Sequence, residues 1–361
     1  MEPVPNPITI RDVARVACVG VGTVSRVLNG GRQVSESTRE RVKAAISRLG
    51  FRPHAQARRM SRRTEMVCFL MSNREFLHSF HARILKGVET CARSLGQQVV
   101  FAVIHYGEKT PPGQIVLPPI LKERGWVDGL VLAGTIYPNF VEHIQSIHVP
   151  YVMFGNNLFG PKHMLKYDQV SFDGEKAEFE ATQFVIEQGH HEIAFVGETS
   201  FPWFRERHAG YRRAMKSAGL NPVLLNSQQG NGSSDYAEWA ARNLLQMSPR
   251  PTAIMVGNDE IAFGLWRSFR KSGINVPDDI SLVGFDDRDI ALLMDPPLTT
   301  VRVQKEEIGE TLMKMLLDKL HQPSKHLARQ VIPTQLIIRG TVKHLYSNSP
   351  SASLLAPSAN I

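Results

Sequence analysis

At 361 residues, with 42% hydrophobic and 21% charged side chains, the chain has the make-up of an ordinary globular protein of two or three domains, and no apolar run approaches the ~20 residues of a membrane span. The formal net charge of +8 is confined to the first 65 residues: of 42 basic and 34 acidic residues, 13 and 5 lie there, leaving 29 of each sign beyond. Charge so concentrated suits a polyanion, and because the first 50 positions hold no aromatic residue for a membrane-facing helix, nucleic acid is preferred over a lipid surface.

The start, MEPVPNPITIRDVA, lacks the basic and apolar stretches of a secretory signal. Thr9 and Asp12 fit a capping box, in which hydroxyl and carboxylate satisfy free amides at a helix start. Ile10, Val13, Ala14 and Ala17 then fall on one helical face, and Cys18-Val19-Gly20 makes a turn. A second helix runs to about Asn29 and buries Val24, Val27 and Leu28. A third starts at Ser35, places Val42, Ala45, Ile46 and Leu49 inward and stops before Gly50. Three short helices sharing one core are expected over residues 1–50.

The stretch FRPHAQARRMSRRTE (51–65) carries arginines that repel one another, so a linker that turns helical only beside an anionic partner is favoured over a plain tether. From Val67 the pattern changes. Apolar runs VCFLM, VVFAVI, GLVLAG and YVMFG alternate with amphipathic helical stretches, and a second series follows with IAFVG, PVLL, AIMVG and ISLVGF. Such alternation predicts parallel α/β sheets in two similar lobes over 66–345, with a ligand cleft at the strand carboxyl ends. The Ser/Pro/Ala-rich tail, 346–361, is expected to be disordered. Cys18, Cys68 and Cys91 have no metal-type spacing and read as reduced thiols of a cytoplasmic protein.

The stretch Ile10 to Asn29 has the form I-x-D-V-A-x-x-A-x-V-G-x-x-T-V-S-R-V-L-N, which resembles the helix-turn-helix of the lactose-repressor/galactose-repressor family. VSESTRERVKAAISRLGFRP (34–53) resembles that family's third helix and HAQARRM (54–60) its hinge helix. RERHAGYRRAM (205–215), GNDEIAFG (257–264), VGFDD (283–287), PPLTTVR (296–302) and PTQLIIRGT (333–341) fit its effector-binding core. The resemblance spans about residues 8–345. It implies an all-α head, a hinge and a two-lobed core like a periplasmic binding protein, acting as a homodimer on double-stranded operator DNA under control of a small effector.

In such a head the second helix enters the major groove. Arg26 can fork onto a guanine or bind phosphate, Thr23 and Ser25 can bond phosphate or bases, and Val21 can meet a thymine methyl. Gly22 reads little. Thr9, Asn29, Ser35 and Thr38 fit phosphate contacts, although capping accounts equally for their hydroxyl and amide side chains. Arg58 and Met60 belong to the hinge, where Met60 stands in place of the family's wedging leucine and His54 in place of its asparagine.

Motif carry-over points to Arg207, Asn258 and Asp286 as polar groups facing the effector, with Phe80, Phe204 and Tyr236 as its walls; the aromatics also suit ordinary core packing. Arg207 and Asp286 could instead form a salt bridge that closes the cleft. Gly155 stands where many sugar-binding relatives carry Asp, which is expected to leave room for a bulkier ligand or to pass the role to Asn156. A sugar-like effector is favoured, with a nucleobase second.

The chain has no Walker A loop, G-x-G-x-x-G or G-x-S-x-G. His78 and His81 lack a carboxylate or thiol to complete a metal set, and no nucleophile–base pair stands out. Catalysis and a cofactor are not expected. The competing readings are a periplasmic sugar receptor, which predicts an export signal and no basic head, and a DNA-binding regulator whose cleft has lost its ligand.

Overall fold

Hydrophobic spacing and local capping build three helices at the start of the chain: α1 (Ile10–Ala17), α2 (Val21–Leu28) and α3 (Glu36–Leu49). The computed structural model describes residues 9–28, 34–49, 64–74, 79–122, 125–160, 167–226, 233–322 and 328–345. The capping box forms at α1, where the Asp12 carboxylate accepts the Thr9 amide at 2.9 Å and the Thr9 hydroxyl at 2.7 Å. Those bonds, the side-chain one first, hold the Asp12 carboxyl below its usual range.

Cys18 ends α1 in the left-handed region at φ 51°, which lets the Val19 amide donate to the Ala14 carbonyl at 3.0 Å. The Gly20 carbonyl opens α2 by accepting the Thr23 amide at 2.9 Å. Val13, Ala14, Ala17, Val24, Val27, Val42 and Ala45 form the buried core, with Ile46 and Leu49 half-buried at its edge. Removal of such aliphatic side chains from water is what holds so small a domain, at about 1.5–3 kcal/mol for each fully buried valine.

The chain falls into two compact units that divide at Thr64/Glu65. In the second unit β1 (Met66–Ser72), α4 (Ser79–Ser94), β2 (Gln98–Ile104), α5 (Pro119–Lys122), β3 (Gly129–Gly134), α6 (Pro138–Ser146), β4 (Tyr151–Phe154) and β5 (Gln169–Ser171) make most of one lobe. The other contains α7 (Gly174–Glu187), β6 (Ile193–Val196), α8 (Pro202–Ser217), β7 (Val223–Leu225), α9 (Ser233–Gln246), β8 (Ala253–Val256), α10 (Asp259–Lys271), β9 (Ser281–Asp286), α11 (Asp289–Leu292) and β10 (Thr299–Val303). The chain then returns to the first lobe for α12 (Lys305–His321) and β11 (Arg329–Val331), and closes on the second with β12 (Thr334–Ile337).

Each lobe holds a six-stranded sheet, ordered β11-β5-β4-β3-β1-β2 and β12-β10-β9-β8-β6-β7. All pairings are parallel except β10 with β12. Central strands β3, β8 and β9 are buried along their whole length, as strands covered by helices on both faces must be. The eight apolar runs quoted from the sequence all lie on strands, β1–β4 and β6–β9; the edge and crossing strands β5, β10, β11 and β12 were not read from it.

Three passages link the lobes, after β5, β10 and β11. The first carries Phe172, whose ring lies 6.1 Å from both Phe154 in one lobe and Phe285 in the other. Asn156 clamps the same residue, donating to its carbonyl at 2.8 Å and accepting its amide at 2.9 Å. The hinge stretch 51–63 and the tail 346–361 lie outside the described residues, and with them Asn29, His54, Arg58 and Met60.

Candidate DNA-reading face and effector cavity

On α2, Val24 and Val27 point into the head's core and thereby fix what faces outward. Val21 is 42% exposed, Gly22 and Arg26 are exposed, and Thr23 and Ser25 are half-buried. Positions 21, 22, 25 and 26 share one strip of the helix, so the valine, the hydroxyl and the guanidinium form a single surface. A Cβ built on Gly22 would meet nothing within 4 Å. Packing therefore does not demand glycine there; its effect is to thin the outward face.

Ser35 and Thr38 open α3, where the Ser35 hydroxyl donates to Thr38 Oγ1 at 2.9 Å and Ser35 Oγ accepts the Thr38 amide at 3.4 Å. Like Thr9, these two serve a helix start, which also presents free amides to an anion.

In the second unit a cavity of about 350 Å³ opens between the lobes, and all six residues singled out for an effector line it. Phe80 comes from α4, Phe204 and Arg207 from α8, Tyr236 from α9, Asn258 from the start of α10 and Asp286 from the end of β9. The topology brings them together because α4, α8 and α10 each follow a strand at its carboxyl end.

Arg207 is 3% exposed. Its Nη2 donates to Asp286 Oδ1 at 2.9 Å, its Nη1 to the Gly257 carbonyl, and its guanidinium lies 3.8 Å from the Phe285 ring centre. The sequence left open a salt bridge that closes the cleft. The bridge forms, but both partners belong to the second lobe, so it fixes one wall and does not join two. Asp286 (φ 107°) and Asp287 (φ 48°) are consecutive non-glycine residues at positive φ. Such strain at the end of a buried strand is typical of a functional position.

Asn258 uses its Oδ1 to cap α10, accepting the Ile261 amide at 2.9 Å, and so retains its Nδ2 donor for a ligand. Tyr236 donates its hydroxyl to the Leu225 carbonyl at 2.8 Å and stacks on Trp239, so it offers a ring face. Phe80 packs 5.8 Å from Phe154 and Phe204 against the backbone at Gly257, so both are at once core and wall.

Two expectations change. The space foreseen beside Gly155 is filled, since a Cβ there would fall 2.2 Å from Gln169 Oε1. Asn156 is spent on Phe172; its neighbour Asn157 reaches the cavity, 3.0 Å from His81 Nε2.

The cavity also recruits Arg74, His81, Asn157, Trp203 and Glu260, which the sequence reading passed over as ligand contacts. Of these only Glu260 falls within a quoted family motif, GNDEIAFG; the other four lie outside them, and only the fold brings Arg74 opposite Trp203. Behind the wall, burial pushes the Glu178 carboxyl up to about 8 while Arg207 pulls it down. Burial likewise raises Asp259 to about 7, helped by the charge of Asp286 and opposed by hydrogen bonds from Thr300 and Arg288.

A helix-turn-helix head that turns Val21, Ser25 and Arg26 outward on its second helix, attached to a two-lobed α/β core around a polar and aromatic cavity, defines a DNA-binding regulator of the periplasmic-binding-protein-like class. Residues 9–54 match the profile of bacterial regulatory proteins of the lacI family, and residues 182–342 that of a periplasmic binding protein-like domain. The HTH-type transcriptional repressor PurR of Vibrio campbellii is 31% identical over 93% of this chain and 99% of that protein. The HTH-type transcriptional regulator CelR of Thermobifida fusca is 33% identical over 92% of this chain and 97% of its own.

Among solved structures, the lac repressor dimer bound to operator and the anti-inducer ONPF superposes with a TM-score of 0.78 at 26% identity, covering 94% of this chain and all of that one. The CelR–cellobiose complex does so at 0.66 and 31%, covering 92% and 99%. The chain belongs to the LacI family: it is a DNA-binding transcriptional regulator with a ligand-binding core, and its relatives are regulators, not enzymes. Among the described residues no helix is long and apolar enough to cross a membrane.

Proposed function

We propose that the protein is a cytoplasmic, non-catalytic homodimeric repressor in which residues 1–50 read the operator, 51–65 form the hinge, 66–345 dimerise and bind the effector, and 346–361 form a tail. Val21 and Arg26 make base contacts; Thr23 and Ser25 bond bases or phosphate; Thr9, Asn29, Ser35, Thr38 and Arg58 hold phosphates and set register; Met60 wedges the minor groove. Arg207, Asp286 and Asn258 bond the hydroxyls of a sugar-like effector whose C–H faces rest on Phe80, Phe204 and Tyr236. Binding changes the angle between the lobes and with it the separation of the two hinges, a coupling of about 1–3 kcal/mol.

The observation that carries this reading is the convergence of six residues, from four helices and a strand end, on one cavity. The test is calorimetry of the full chain with ribose, cellobiose and nucleosides, combined with anisotropy on a duplex selected from a random pool. The expected result is heat with one compound class and a shift in duplex affinity with that compound. Selective duplex binding with no heat and no shift would assign the chain instead to regulators without an effector.

A further inference from the structure

Arg74 lies two residues past the end of β1, half-buried in the cavity wall. Its Nε donates to Thr135 Oγ1 at 3.1 Å, and its guanidinium carbon lies 4.7 Å from the centre of the Trp203 ring across the cleft. Among the described residues its two terminal amino groups have no hydrogen bond and no carboxylate within ion-pair distance.

The other charges of the wall are spoken for. Arg207 is bridged to Asp286 at 2.9 Å, Glu260 to Arg288 at 2.6 Å, and Glu198 accepts the Ser200 hydroxyl at 3.0 Å. Burial pulls Arg74 below its ordinary pKa, with Glu260 opposing from longer range. A half-buried guanidinium, with both terminal nitrogens unused and turned to the open cavity and its carbon 4.7 Å from the centre of an indole ring, matches the fork geometry of an oxyanion.

We propose that Arg74 is an anion receptor within the effector cavity, so that the effector is an oxyanion-bearing polyol, either a sugar acid or a sugar phosphate. Arg207, Asp286 and Asn258 hold its hydroxyls while Arg74 takes the carboxylate or phosphate. The half-buried Glu198 carboxylate repels that group from its own part of the wall and so sets the ligand's orientation. This assignment rests on the reading of the cavity as the effector site.

The test uses the full chain, with inorganic phosphate and acetate titrated separately against chloride at constant ionic strength while tryptophan emission is followed. A saturable change is expected, absent in Trp203→Phe and weakened roughly tenfold or more in Arg74→Gln, the usual loss for a hydrogen-bonded charge. Arg74→Lys keeps the charge without the fork and falls in between. Stronger binding of phosphate assigns a sugar phosphate; stronger binding of acetate assigns a sugar acid.

A wild-type chain that responds no more than to chloride overturns the assignment, as does an Arg74→Gln response equal to the wild type. Should Arg74→Gln not fold, the wild-type and Arg74→Lys titrations decide alone. Duplex binding measured on the same samples separates the two claims. A chain that binds duplex DNA and ignores anions loses only the role of Arg74, whereas one that binds anions and no duplex keeps that role and loses the repressor reading.

Discussion

Cys18 occupies the left-handed region at φ 51°, where a side chain is disfavoured by about 1–2 kcal/mol and glycine is not. Cys18→Gly is expected to stabilise the head by about 0.5–1 kcal/mol, the relief of strain being partly offset by the greater freedom of unfolded glycine. Slower amide exchange through α1 and α2 of the full chain would show it, and unchanged exchange would mean that the turn carries no strain. Glu178 makes a second residue-scale prediction. It is 1% exposed, and its carboxyl is raised from 4.5 to about 8 by burial. A group that binds its proton more tightly when folded lowers stability once the pH passes its unfolded value, and the loss grows until the folded value is reached. The wild type should therefore melt progressively below Glu178→Gln as pH rises from 5 to 8, with the two converging near pH 5. Asp259 is common to both proteins and cancels from the comparison.

Helices α4 and α12 touch backbone to backbone through glycine. A Cβ on Gly87 would lie 2.0 Å from the Glu306 carbonyl oxygen, and one on Gly309 2.0 Å from that of Ile84. Because the clash is with main chain, no rotamer change relieves it. Gly309→Ala should lower stability by about 1–3 kcal/mol despite alanine's better helix propensity, as urea unfolding would measure. This contact joins residues more than 200 positions apart, and nothing in the local pattern of either helix announces it. The same limit explains what else the sequence concealed. Strands β1, β3, β4, β6, β8 and β9 were legible because buried central strands are continuous apolar runs, and the edge strands β2 and β7 because their sequences VVFAVI and PVLL are apolar although only partly buried. Strand β11 is exposed along its length and β12 is half-buried except for the exposed Gln335, so neither leaves such a trace. In the cavity, Arg207, Asn258 and Asp286 sit in family motifs and were found, whereas Arg74 and Asn157 reach it only through the lobe arrangement. Gly155 misled because its neighbour in space, Gln169, is invisible in sequence.

At the scale of the whole molecule, the first 65 residues carry the entire net charge of +8 and the remainder is neutral. A polyanion therefore meets its counter-charge in the head, while the core binds ligand without long-range attraction to DNA. Each phosphate neutralised contributes about 0.9 to the slope of log affinity against log salt. For six to ten such contacts, duplex affinity should fall by about 10³–10⁵ between roughly 50 and 200 mM salt, and a fragment starting at Val67 should lose duplex binding altogether. Within the head, Arg26 should behave differently from the phosphate-binding groups because it projects from the outward face of α2 beside Gly22, which has no side chain to share the reading. If it forks onto a guanine, Arg26→Ala should reduce the preference for selected over random duplex by about 1–3 kcal/mol while leaving the salt slope nearly unchanged. A uniform loss on both duplexes, with a slope shallower by about one, would instead place Arg26 on a phosphate and leave base reading to Val21, Thr23 and Ser25. Anisotropy titrations of both duplexes at four salt concentrations separate these outcomes.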